Sequence, residues 1–175
     1  MTHRDPIDVL GAIYEKMYES IAQNFIKSEQ KSAELLNKLI DETAQKFSEL
    51  NEVSKEDIEK VSDYLKRDIN DAALYLNKTG KEFSDWLGFE STLLEAEVSD
   101  LMLSAADPTT VELAKLAISA KLASGYHVGE IIGAGTLTCD ECGEKIVYYR
   151  AAEIKACPKC AASHFHRYDR HNTNN

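Results

Sequence analysis

The residues whose type and spacing point most directly to chemistry are four cysteines, Cys139, Cys142, Cys157 and Cys160. They form two Cys-x-x-Cys pairs separated by 14 residues, and the chain has no other cysteine. Two such pairs bring four thiolates around one ion, and the spacing is about one residue short of the usual template for zinc. Zn²⁺ favours four thiolates in structural sites. The sequence therefore predicts one structural Zn²⁺ held by all four cysteines.

Whether the four cysteines bind a metal ion or form disulfides depends on the redox state of the compartment in which the protein resides. The start, Met-Thr-His-Arg-Asp-Pro, lacks the apolar segment of a secretory signal, so we expect a reducing cytoplasm, where thiols bind metal. Two disulfides are the alternative in an oxidising compartment, and iron in a rubredoxin-like cage is the alternative metal. No uninterrupted apolar run approaches the ~20 residues of a membrane helix, and no contact with a membrane is predicted.

Short strands and turns are predicted around the cysteines. Glycines crowd into residues 125–135, which marks a change from helix to turns and strands. The patterns predict a strand over 128–133, another over 146–149 with one of its two tyrosines facing water, and a returning strand over 162–168. Gly143 follows the first cysteine pair and permits the positive φ of such a metal turn.

The part of the chain before the cysteines is predicted to be helical. Apolar residues recur at steps of three and four over 7–25 and again over 35–50, as one face of a helix requires. One helix of about 45 residues, near 68 Å, and two helices broken near 28–30 both fit this pattern. Ser54 caps the next helix, which ends near Thr79. Two further helices are predicted, one carrying apolar residues from Phe83 to Leu101 and one starting at Pro108.

The fold class that follows is mainly α. Helices with one apolar stripe must bury it, so residues 5–124 are predicted to form an amphipathic helical hairpin or bundle, or a coiled-coil-like region. A small β zinc ribbon follows over 126–168, and the polar tail 169–175 is predicted to be disordered. The helices also offer a surface for homodimerisation.

The charge distribution and the missing catalytic motifs argue against two classes of function, nucleic-acid binding and enzymatic catalysis. The net charge of −10 comes entirely from residues 1–125, whereas residues 126–175 carry six basic and six acidic side chains. A ribbon without basic excess is a poor binder of phosphate backbones. A closed Cys₄ site leaves no position for water or substrate, and the Cys-x-x-Cys pairs lack the βαβ context of thiol redox enzymes. The chain is predicted not to be an enzyme.

The leading hypothesis is a non-enzymatic adaptor whose ribbon binds a macromolecule, most simply a protein. The alternative is a nucleic-acid- or ribosome-associated protein, because the ribbon also offers cations and stacking faces. Either partner would contact the basic and aromatic residues of the ribbon. The predicted partner-binding residues are Lys145, Tyr149, Arg150, Lys159, Phe165, His166 and Arg167.

The stretch from Tyr126 to Tyr168 also resembles the YbeL-like family of bacterial zinc-ribbon-containing proteins. The shared string is H-x-G-E with a glycine-rich bend, then L-x-C-x-x-C and C-P-K-C, and a short His/Phe/Arg segment. Its residues here, besides the four cysteines, are His127, Gly129, Glu130, Gly133, Gly135, Leu137, Phe165 and Arg167. The resemblance implies a helical region with a C-terminal zinc ribbon in a bacterial cytoplasm. It implies no particular activity.

Overall fold

The computed structural model describes residues 6–29, 32–79, 85, 87, 122 and 124–167. Three helices come first: α1 over Pro6–Lys27, α2 over Ala33–Glu49 and α3 over Lys55–Thr79. Six short strands follow, and they form a small antiparallel β region after the helices. The strands are β1 Tyr126–His127, β2 Ile131–Ile132, β3 Gly135–Cys139, β4 Lys145–Tyr148, β5 Ala152–Glu153 and β6 His164–Arg167.

The segment before Ser54 forms two helices, so the second of the two sequence interpretations is correct. The first helix, α1, ends at Lys27, and the amide of Ser28 bonds back to the carbonyl of Phe25 at 3.2 Å. Ser32 then caps α2, because its side-chain oxygen accepts from the amide of Leu35 at 3.2 Å. A serine that satisfies a free helix-end amide in this way gives the chain a new helix start.

The third helix begins where the sequence predicted. The side-chain oxygen of Ser54 accepts a hydrogen bond from the amide of Asp57 at 3.1 Å, which confirms Ser54 as its cap. Apolar residues at steps of three and four along this helix form a buried stripe. Its members are Ile58, Val61, Leu65, Ile69 and Ala72.

The three helices contact one another pairwise and share one apolar core. The stripe of α1 contributes Ile13, Met17, Ile21 and Phe25, and α2 contributes Leu36 and Ile40. The apolar stripes are therefore buried within one chain. None of the described helices has the length and apolar content that crossing a membrane requires. The two further predicted helices and the tail 169–175 lie outside the described residues, apart from Asp85 and Leu87 in the first of these helices, and Leu122; all three are helical.

The strands form one four-stranded sheet in the order β1-β6-β3-β4 and a separate pair of β2 with β5. All pairings are antiparallel. The strand predicted over 128–133 is wrong in its extent, because a turn separates β1 from β2 and β2 covers only Ile131–Ile132. Gly129 adopts a φ of +89° and the amide of Glu130 bonds back to the carbonyl of His127 at 3.2 Å, which closes that turn.

The sheet region packs against α1 and α3. The amide of Ala151 donates to Glu15 on α1 at 2.9 Å. Gly11 of α1 also lies against Ala151, since a Cβ on Gly11 would stand 2.8 Å from the carbonyl oxygen of Ala151. A glycine in the interior of α1, unfavourable for a helix by itself, is thus explained by close approach of the backbone of the ribbon.

Candidate metal centre

The four cysteines lie on two similar turns. Cys139 is the last residue of β3, and its carbonyl accepts from the amide of Gly143 at 3.0 Å. In the second turn the carbonyl of Cys157 accepts from the amide of Ala161 at 2.8 Å. Gly143 and Ala161 both have positive φ, +73° and +61°. The sequence predicts this conformation at Gly143 but gives no signal for it at Ala161.

The sulfur positions fit a tetrahedral metal ion. The Sγ atoms of Cys139 and Cys160 are 3.5 Å apart, those of Cys142 and Cys157 are 3.6 Å apart, and all four lie within 4.8 Å of one another. Zinc–sulfur bonds of about 2.3 Å in a tetrahedron place the sulfurs about 3.8 Å apart. A disulfide needs sulfurs at about 2.05 Å, and all four cysteines are free thiols. The disulfide alternative is therefore wrong, and the arrangement fits one structural Zn²⁺.

The backbone of the second turn also favours a thiolate. Burial by itself raises the pKa of the Cys157 thiol. Backbone N–H groups of Cys160 and Lys159 donate to its sulfur, and they contribute to lowering its pKa to about 7, below the usual value near 9. Since the thiolate is the form that binds metal, this turn is prepared for coordination.

The exposed members of the predicted partner-binding set lie on and after β4 and in the metal turn. Lys145, Tyr149, Arg150 and Lys159 are exposed, and Tyr149 keeps 71% of its surface accessible. Its neighbour Tyr148 is partly buried, so the predicted alternation of the two tyrosines is confirmed. His166 is partly exposed and its ring contacts the carboxylate of Asp140.

The prediction that Phe165 and Arg167 contact a partner is corrected by the structure, because each residue is only 1% exposed. Both lie on the inner face of β6. Phe165 packs in the apolar core of the ribbon. Arg167 enters a buried cluster of charges between the ribbon and α3, where no partner can contact it. Alternation along β6 puts residues two apart on one face, so an inward Phe165 implies an inward Arg167.

This buried charge cluster is the feature that sequence reasoning missed. Its centre is Asp68, whose carboxylate accepts from Tyr14 on α1, from Nε of Arg67 at 3.0 Å and from the amide of Gly133 at 2.9 Å. Nη2 of Arg167 lies 3.5 Å from the same carboxylate. The cluster thus joins α1, α3, β6 and the loop after β2.

Arg67 extends the cluster towards β1 and β2. Its Nη1 donates to Glu130 at 2.6 Å and its Nη2 donates to the carbonyl of Ile131 at 2.8 Å. Glu130 in turn accepts from the backbone amide of His127 at 3.1 Å and lies 3.0 Å from its ring Nδ1. The histidine and glutamate of the H-x-G-E string therefore hold the turn after β1 against the helix.

Neighbouring positive charges keep the Asp68 carboxyl at the centre of the cluster ionised. Burial alone raises the pKa of the Asp68 carboxyl, but the neighbouring guanidinium groups of Arg67 and Arg167 act against burial and hold that pKa below its usual value. A sequence signal for the cluster did exist. Asp68 lies three residues after Leu65 and four before Ala72, on the apolar side of α3, where a charged residue needs a buried partner.

The fold and the metal centre together define a protein with a helical N-terminal region and a C-terminal zinc ribbon. The family described as "Zinc-ribbon containing domain" matches residues 23–169, and the chain belongs to this family. Uncharacterized protein YbeL of Escherichia coli K12 is 22% identical over 157 residues, which cover 88% of this chain and 92% of YbeL. YbeL of Escherichia coli O157:H7 matches to the same extent. No solved structure matches the chain significantly.

We expect one zinc per chain in the purified protein. The variants Cys142→Ser and Cys157→Ser should each lose most of it, because each removes one of four ligands from a closed site. Elemental analysis of the gel-filtered protein measures the metal and also tells zinc from iron. His164→Ala is the control, since His164 is exposed on β6 and provides no ligand; zinc retained in either serine variant contradicts the assignment.

Proposed function

We propose that this protein is a non-enzymatic adaptor whose zinc ribbon binds a protein partner. The first support is the metal centre. Four cysteine thiolates fill the tetrahedral coordination of a zinc ion, so a zinc bound there has no open position for water or substrate. Zinc in this arrangement holds two turns and the strands between them in place, which gives the ribbon a rigid surface.

The observation that carries the proposal is the exposed outer surface of β4 and of the two residues that follow it. Val147 is 40% exposed and Tyr149 is 71% exposed, and Arg150 next to them is also accessible. Among the described strands, β4 pairs only with β3 and forms the outer strand of the sheet. Tyrosine and arginine are enriched at the centres of protein interfaces, where an aromatic ring supplies area and a guanidinium supplies directed hydrogen bonds.

Charge pairing within the ribbon favours a protein over a nucleic acid. Lys159 lies 3.7 Å from Glu144, and Lys155 lies 3.2 Å from Glu153. Cations that already have carboxylate neighbours attract phosphates weakly. The net charge of −10 for the whole chain adds a general repulsion.

The proposal is tested with two variants of the β4 surface, Val147→Asp and Tyr149→Ala. The tagged protein is recovered from cells of its source with and without nuclease, and the main companion is purified and titrated against each variant. We expect a nuclease-resistant protein whose Kd weakens at least about tenfold in both variants, as at the centre of an interface.

The matched control is Leu50→Asp, because Leu50 is a 60% exposed apolar residue outside the ribbon, on the α2–α3 turn. Its Kd should equal that of the unmodified protein. Equal affinity in Val147→Asp and Tyr149→Ala would remove the β4 surface from the proposal. Companions that vanish after nuclease treatment would replace the adaptor by the nucleic-acid or ribosome alternative.

Two further parts of the proposal concern assembly and compartment. We infer a reducing cytoplasm from four free thiols that bind metal.

Homodimerisation through the helices stays a prediction. The stripes that suggested a coiled coil are buried within one chain, so a dimer would need a surface outside them. Sedimentation equilibrium measures the mass, and a monomer at all concentrations would exclude the dimer.

A further inference from the structure

Strand β6 follows the second metal turn, and the same strand contacts α3 through Arg167. The amide of Cys157 donates to the carbonyl of Ala162 at 3.0 Å, which closes the second metal turn directly before β6. In the sheet, Cys139 of β3 stands opposite Phe165, and Leu137 stands opposite Arg167. Six residues separate Cys160 from Arg167, so the position of the metal turn determines the position of Arg167.

The guanidinium of Arg167 is held by two hydrogen bonds, by an aromatic ring and by two carboxylates. Its Nε donates to the hydroxyl of Tyr126 at 3.1 Å and its Nη1 donates to the carbonyl of Ala134 at 2.9 Å. The guanidinium also lies 5.1 Å from the centre of the Tyr126 ring. Its charge faces two carboxylates of α3, with Nη2 3.5 Å from Asp68 and Nε 4.0 Å from Asp71.

Arg167 of the ribbon compensates part of the charge of those two carboxylates. Asp68 and Asp71 are each at most 4% exposed. Within the cluster Arg67 is shared between Asp68 and Glu130, so it cannot offset three buried carboxylates by itself. A buried charge that loses its partner strongly destabilises the packing around it. If β6 moves, this half of α3 must rearrange so that water reaches Asp68 and Asp71.

The zinc position of the metal centre is accessible to ligands in solution that compete for the metal. Cys160 is exposed and Cys142 is only partly buried, so a competing ligand in solution can approach the zinc position from one side. Without the metal, the two Cys-x-x-Cys segments are held only by short strands and turns and by the small apolar core of the ribbon, and a module of this size has too little core to fold by burial alone.

We propose that zinc occupancy of the Cys₄ centre controls the docking of the ribbon on α3, through the contact of Arg167 with Asp68 and Asp71. With zinc bound, β6 places Arg167 in the buried charge cluster and the ribbon and α3 form one unit. Without zinc, β6 loosens, Arg167 leaves the cluster, and the face of α3 that carries Asp68 and Asp71 becomes accessible. The protein thereby converts metal availability into a change of its helical surface.

The first test is hydrogen exchange by mass spectrometry on the full chain, zinc-loaded and after treatment with an excess of a zinc chelator. We expect exchange to accelerate at least about tenfold over residues 65–72 of α3 as well as in β6, and to stay unchanged over residues 34–41 of α2. Unchanged exchange over 65–72 with faster exchange in β6 would overturn the proposal. Equal acceleration in α2 and α3 would also overturn it, because it would mean general unfolding.

The second test uses the reciprocity of coupled equilibria. If zinc stabilises the contact between Arg167 and Asp68, that contact must strengthen zinc binding by the same factor. Asp68→Asn, a change on a helix with no metal ligand, should weaken zinc affinity about fivefold or more in competition with a chromogenic chelator. Asp41→Asn on the exposed face of α2 is the control. Equal affinity of both variants for zinc would show that the cluster and the metal centre are independent.

Discussion

Replacing Asp68 by alanine is expected to lower the free energy of unfolding by about 3–5 kcal/mol. The carboxylate lies at the centre of the buried charge cluster and accepts hydrogen bonds from Tyr14, Arg67 and the amide of Gly133. Its removal leaves the charge of Arg167 without its nearest described carboxylate. Uncompensated burial of such a charge, and not the loss of one contact, produces the large effect.

Urea unfolding followed by circular dichroism measures this effect, with Asp41→Ala as the matched control. Asp41 also has a cationic neighbour, since Lys66 lies 3.6 Å away, but its side chain is 71% exposed. Solvent and salt screen that pair, so the control should change stability far less. Similar midpoints for the two variants would mean that the cluster contributes no more than a surface pair.

The pH dependence gives an independent check with Asp68→Asn. The folded-state pKa of Asp68 is lowered, against the effect of burial, by Arg67 and Arg167, so it lies below the unfolded value of about 3.9. Ionised Asp68 therefore contributes stability that is fully present above pH 4 and is lost as the pH falls through the folded pKa. The stability difference between the unmodified protein and Asp68→Asn should be constant from pH 7 to 5 and should shrink below pH 4. A difference that grows towards low pH would contradict the assignment.

Gly135→Ala should be the second strongly destabilising change, by about 2–5 kcal/mol. A Cβ at this position would stand 1.7 Å from Nη1 of Arg167, so the arginine or β3 must move. The residue also has a φ of +153°, which side-chain-bearing residues rarely adopt. Because Arg167 is fixed in the buried charge cluster, the clash cannot be relieved by a simple change of rotamer.

Gly129→Ala is the control that separates these two causes. Gly129 has a φ of +89°, but a Cβ there would meet nothing within 4 Å. It should show only the backbone cost, about 1–2 kcal/mol, in the same urea experiment. If both alanine variants lose equal stability, contact with Arg167 contributes nothing to the cost of Gly135→Ala.

The sequence predicted the metal centre and the start of α3 because each depends on local signals. The four cysteines need only their spacing, and Ser54 needs only the amide of Asp57 three residues later. The buried stripe of α3 follows from periodicity alone. These three predictions agree with the structure because each involves a single element and its immediate neighbours.

The buried charge cluster could not be predicted in the same way, because its members come from four parts of the chain. Arg167 in a polar segment suggests a surface cation, and only pairing of β6 with β3 turns it inward. Asp68 on an apolar stripe shows that a partner is needed but does not identify it. The turn at 128–130 was missed for a related reason. Its amides and carbonyls bond to residues 154 and 163, which no local pattern connects with it.

The double attachment of β6 also restricts how this stretch of sequence can change in length. Cys160 is tied to the metal centre and Arg167 to the buried charge cluster, so the six residues between them have fixed ends. One inserted residue would reverse the alternation along β6 and turn Phe165 and Arg167 outward while histidines took the inner positions. The turn between α2 and α3 has no such anchor at Leu50, which is exposed. Relatives of this chain should therefore vary in length at the helical turn and keep the interval after the last cysteine constant.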